Sequence, residues 1–159
     1  NKEILEALRK KGFCINVDIF ERNCNILMGI EILKRNYNTF KNGVDKKRLE
    51  IFCKPGTIFN GVDLYNLYNS YRGFDAVLRA YNGWGCTIEG AKGIRNGCTG
   101  TCKRDSACIQ RCIEHTVFYV QKVKDMGKCI QEQREKCPDP IPDIKLPSSE
   151  DSEQFAPTG

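Results

Sequence analysis

Apolar residues along this chain return at steps of three and four, the spacing that lines one face of an α-helix. No segment shows a convincing strand alternation. Residues 2–11 hold a short helical pattern in Ile4, Leu5 and Leu8, stopped by Gly12. The clearest stripe runs Val17, Phe20, Cys24, Leu27, Ile30, Leu33 or Lys34, Tyr37 and Phe40. It predicts an amphipathic helix of about 25 residues, capped by Asn16 and ended by Asn42–Gly43. A shorter helix is expected over Asp45 to Cys53, closed by Pro55–Gly56. Val62, Tyr65, Tyr68, Tyr71, Phe74, Leu78 and Tyr81 predict one helix over 62–81, weakened or kinked at Gly73. A last long helix is expected over 106–135, capped by Asp105 or Ser106. Its inner face would carry Ile109, Cys112, Ile113, Val117, Val120, Val123 and Ile130. The expected fold class is all-α, with three or four main helices and an irregular Gly/Cys-rich loop.

The cysteines add cross-links to that picture. There are ten in 159 residues: Cys14, Cys24, Cys53, Cys86, Cys98, Cys102, Cys108, Cys112, Cys129 and Cys137. An even number at this density reads as a disulfide framework in an oxidising compartment. C-x-x-C pairs are absent and His115 is the sole histidine, so no metal site is expected. The chain opens at Asn1 without an apolar run, as a secreted chain would after loss of its signal peptide. No stretch reaches the ~18 apolar residues of a membrane span. We therefore expect a secreted protein.

Charge divides the chain into a domain and a tail. Residues 138–159 are Pro-rich and carry a net −4, leaving +9 on residues 1–137. The expectation is one disulfide-rich helical domain over 1–137 and a disordered acidic tail over 138–159. A basic body favours an anionic partner: a glycosaminoglycan, a lipid surface or an acidic extracellular protein. Nucleic acid is not expected, since aromatics do not interleave with the basic residues and secretion removes that partner. Nothing in the sequence sets the oligomeric state.

Chemistry concentrates in residues 81–112, which hold five of the cysteines, six of the fourteen glycines and the only Trp. Tyr81-Asn82-Gly83-Trp84-Gly85 alternates glycines so that backbone carbonyls can converge. A ladder of C-x3-C, five residues and C-x3-C follows in Cys98, Cys102, Cys108 and Cys112. Read as a scaffold, the ladder would form a tight helical turn with nested bridges, Cys98 to Cys112 and Cys102 to Cys108.

Together these residues resemble secreted phospholipase A2, with its Y-x-G-x-G calcium loop and a helix bearing C-x-x-H-D-x-C. Tyr81, Gly83, Trp84 and Gly85 match the loop, and Cys102, Cys108 and Cys112 match the helix. The resemblance covers residues 81–112 and implies a calcium-dependent lipid hydrolase. At the working positions, however, Asp105 replaces the catalytic His and Ser106 the calcium-binding Asp. A second register through Cys112 and His115 meets Thr116 instead of that Asp. Both anchors of the chemistry are missing, so the resemblance implies a non-catalytic relative without a bound cofactor. Calcium enters only if the loop itself is functional.

The expected function is a secreted, non-enzymatic binding protein. Its candidate ligand-binding residues are Tyr81, Gly83, Trp84, Gly85 and Asp105, and no catalytic residue is assigned. The alternatives are a phospholipase A2-type hydrolase and a carrier for a hydrophobic ligand between the Tyr-rich and last helices.

Overall fold

The computed structural model describes residues 2–16 and 21–132. The chain divides into two compact units, residues 1–122 and 123–159. Val17, Phe20, Cys137, the expected domain boundary at 137/138 and the acidic tail lie outside the described residues. The described chain is mostly helical, with little strand, and disulfides cross-link it. Among the described residues there are eight helices, shorter and more numerous than the pattern predicts. None is long and apolar enough to cross a membrane.

In the first unit, α1 (Lys2–Lys10) buries Ile4 and Leu8, one turn apart, against Cys24 and Met28 of α2 (Arg22–Phe40). Gly12 ends α1 in the left-handed region, and the Phe13 N–H closes back on the Leu8 carbonyl. The Cys14–Cys24 bridge then ties the connection to α2. The cap of α2 is Glu21 rather than Asn16: its carboxylate accepts from the Asn23 and Cys24 backbone N–H groups. Asn16 lies outside the helix at φ +57°.

The buried side of α2 also differs from its apolar stripe. Cys24, Met28 and Phe40 are buried, whereas Ile30 and Tyr37 stand exposed. The reason is packing on two sides. α1 covers one face near the start of α2, and α5 packs along another, where Tyr81 Oη approaches Gly29.

After α3 (Lys46–Phe52), the short helix expected here and capped by Asp45, a small antiparallel hairpin joins β1 (Ile58–Phe59) to β2 (Val62–Asp63). Asn60 and Gly61 both have positive φ, the requirement of a two-residue I′ turn. The expectation of no strand is corrected to this extent.

The helix predicted over 62–81 is two helices, α4 (Leu64–Ser70) and α5 (Gly73–Asn82), separated by extended Tyr71 and Arg72. Competing hydrogen bonds break it. The Arg72 guanidinium donates to the Asn69 and Tyr71 carbonyls, each at 2.7 Å, and the Gly73 N–H donates to Lys41 O. Gly43 makes room for this junction: at φ +94°, a Cβ there would lie 2.5 Å from Arg72 Nη1.

The loop expected to be irregular contains α6 (Ile94–Thr101), which packs against α7 (Ser106–Val117). The final predicted helix is likewise two, α7 and α8 (Tyr119–Gln131), parted at Phe118. Ile113, Val117 and Val120 are buried as predicted, but Ile130 is 64% exposed. In the second unit, Cys129 is buried and disulfide-bonded.

The break at Phe118 and the main core meet at Arg79. This α5 side chain is only 1% exposed. Its Nη1 donates to the Thr116 and Val117 carbonyls at 2.9 and 3.1 Å and to Tyr68 Oη at 3.0 Å. Nε donates to Gly83 O at 2.7 Å, and Nη2 donates to Asn82 Oδ1. The guanidinium also lies 4.6 Å from the centre of the Tyr68 ring, and Tyr68 Oη donates in turn to Val117 O. The carbonyls at the ends of α5 and α7 thus face a cation, which complements the negative end of each helix dipole.

Two outcomes follow from this arrangement. Arg79→Lys should destabilise the protein by about 2–4 kcal/mol in denaturant melts, because an ammonium cannot serve all these acceptors and leaves buried carbonyls unpaired. Burial also raises the phenol pKa of Tyr68, Tyr119 and Tyr71, the last to about 12. The folded state then holds protons that unfolded tyrosines release near pH 10. Their contribution is complete below about pH 10 and falls as pH rises toward 12, so denaturation midpoints should drop over that range. Tyr71→Phe should flatten the slope.

Candidate functional site

Residues 81–112 begin on the last turn of α5. Tyr81 is exposed there, and Gly83 forms the C-cap with φ +95° and ψ 161°. That conformation favours glycine. The Gly83 carbonyl, one that a calcium loop would turn toward its ion, accepts from Arg79 Nε. Trp84 is 6% exposed and packs on Phe40 with ring centres 5.5 Å apart. Its indole N–H is buried without a hydrogen-bond partner among the described residues. Gly85 leads into Cys86, which bridges to Cys53 at the end of α3 and donates its N–H to Phe52 O.

Beyond Cys86 the chain turns through residues 87–93 into α6. Gly93 cannot carry a side chain there, since a Cβ would overlap the Ile88 and Glu89 carbonyls. The ladder forms the nested pair expected of a structural scaffold: Cys98–Cys112 and Cys102–Cys108. Lys103 and Arg104 form the exposed tip of the helical hairpin, both with positive φ. Each bridge adds about 2–4 kcal/mol by restricting the unfolded chain.

Asp105 sits at the base of this tip as the N-cap of α7, its carboxylate accepting from the Cys108 N–H at 2.6 Å. Of the five candidate binding residues, Tyr81, Gly83, Trp84 and Gly85 therefore lie along the end of α5 and the chain just after it, and Asp105 belongs to the α6–α7 turn. Gly83 and Asp105 spend their polar groups on helix ends; Trp84 spends its ring on the core. Among the described residues, no cluster of three or more His, Cys, Asp or Glu could hold a metal ion.

His115 lies in the last turn of α7, half-buried. Desolvation pushes its imidazole below the usual range, and the positive charge of Lys122 acts in the same direction.

Two surfaces escaped the sequence reading. One is the outer stripe of α2, where Ile26, Ile30 and Tyr37 are exposed at i, i+4 and i+11. The other is α3, whose first turn carries Lys46, Lys47 and Arg48 and whose last turn exposes Ile51 and Phe52. The run of three bases was visible in the sequence. Its pairing with exposed apolar residues was not, because spacing alone does not say which face is buried.

Comparison of the chain with protein-family models, curated proteins and solved structures finds no match.

With one imidazole in the chain, its ring protons give a single NMR titration curve. The midpoint should fall below about 6.5, the unperturbed value, and Lys122→Gln should move it upward.

Proposed function

We propose that this is a secreted, non-enzymatic binding protein: a disulfide-braced helical scaffold whose basic surface meets an anionic extracellular partner. The observation that carries the reading is the use of Asp105. The resemblance to secreted phospholipase A2 aligns this residue with the catalytic base. Here its carboxylate is engaged by the Cys108 backbone N–H, in the position where it starts α7. A base must be free to accept a proton from water in line with its substrate. Asp105 instead fills a structural post that Asn or Ser could fill equally well.

The local disulfide map supports the same reading. Cys102 and Cys112 close the hairpin on itself rather than reaching distant segments. The charge supports the partner class, since +9 resides on residues 1–137.

Incubation with phospholipid vesicles and calcium should release no fatty acid above the buffer rate. Asp105→Asn, which preserves the cap, should leave both fold and null result unchanged. Calcium-dependent release that Asp105→Asn or His115→Gln abolishes would replace this reading with a phospholipase A2-type hydrolase. Stoichiometric lipid carried through purification would replace it with a carrier.

A further inference from the structure

We infer that α3 is a docking face for anionic lipid membranes. The inference rests on the binding-protein reading and names its partner. α3 breaks the ordinary rules of a surface helix in two ways at once. Its first turn carries three consecutive bases, Lys46, Lys47 and Arg48, and no acid. Cations there oppose the positive end of the helix dipole. Arg48 has a structural contact over Phe40, but folding does not account for Lys46 and Lys47. Its last turn exposes two large apolar residues, Ile51 at 75% and Phe52 at 48%.

Helical spacing puts Lys47, Ile51, Arg48 and Phe52 on one outward arc, with Lys46 at its side. Leu49 is fully buried on the inner side, and Cys53 is buried immediately after the helix. Lys47 stands one turn from Ile51, and Arg48 one turn from both Ile51 and Phe52. The single acid of the helix, Glu50, accepts a hydrogen bond from Tyr65 Oη. Among the described residues, no carboxylate forms an ion pair with the three bases. The helix is fixed at its start by the Asp45 cap and just past its end by the Cys53–Cys86 bridge. Arg48 also stacks over Phe40, 4.8 Å from the ring centre.

Basic residues beside exposed apolar ones are the composition of an interfacial contact. The cations meet lipid phosphates and carboxylates while the apolar side chains enter the acyl boundary. A sulfated glycan has the complementary charge but no apolar phase for Ile51. That residue decides between the two partners.

The test is co-sedimentation of the full chain with phosphatidylcholine vesicles, with and without phosphatidylserine, alongside heparin retention. Binding should need phosphatidylserine and weaken with salt. Lys46→Glu with Lys47→Glu should reduce it at least fivefold per position. Ile51→Ser should weaken vesicle binding severalfold while leaving heparin retention unchanged. Ile51→Trp should shift its emission to the blue on vesicles. All three positions are exposed, and circular dichroism checks that each variant folds. Absence of vesicle binding by the native chain, or binding indifferent to Ile51→Ser, overturns the inference. Heparin retention without vesicle binding would do so while leaving the binding-protein reading standing. Calcium-dependent fatty-acid release would sink that reading separately.

Discussion

A buried guanidinium with no carboxylate partner among the described residues organises the first unit. Removing a cation from water is costly, and burial lowers the pKa of Arg79 accordingly. What offsets the cost is a set of oriented oxygens: carbonyls at the ends of α5 and α7, the Asn82 amide oxygen and the Tyr68 hydroxyl. Helix ends present carbonyls that their own backbone cannot satisfy. Arg79 turns two such liabilities into its solvation shell. The geometry of α4, α5 and α7 follows, as does the turn from α7 into α8 at Phe118.

The disulfides act at a different scale. Cys14–Cys24, Cys98–Cys112 and Cys102–Cys108 each close a short local segment, while Cys53–Cys86 ties the end of α3 to the chain after α5. They tie these connections to the apolar clusters, since Cys53, Cys86 and Cys98 are buried in the larger one and Cys24 in the smaller. A chain with so many charges buries modest apolar area per helix, and covalent closure makes up part of the difference. With the fold secured from within, positive charge is left on the surface. On α3 it stands where helix electrostatics would disfavour it.

Much of the local structure was legible in the sequence because its determinants are local. The stop at Gly12, the short helix before Pro55, the Asp105 cap and the nested ladder all depend on residues within about one to four turns of each other. Asn60–Gly61 was equally local and signalled its hairpin, but strands of two residues leave no alternation to read. The helix breaks were not legible. Nothing near Val117 announces that its carbonyl belongs to Arg79, 38 positions away. The buried face of α2 was hidden for a related reason, since two neighbours share it. For the candidate site, sequence showed that His and Asp were missing from the working positions. The Asp105 cap was among the expectations; only the structure showed what Gly83 and Trp84 do instead.

The central claim is that the Arg79 side chain is held by carbonyls in a dry interior. Arginine side-chain NMR tests it most directly. The account predicts one guanidinium, assigned by Arg79→Lys, with separately resolved Nη protons that exchange slowly with water, while exposed arginines average rapidly. Fast exchange and free rotation of the Arg79 guanidinium in the folded protein would contradict it.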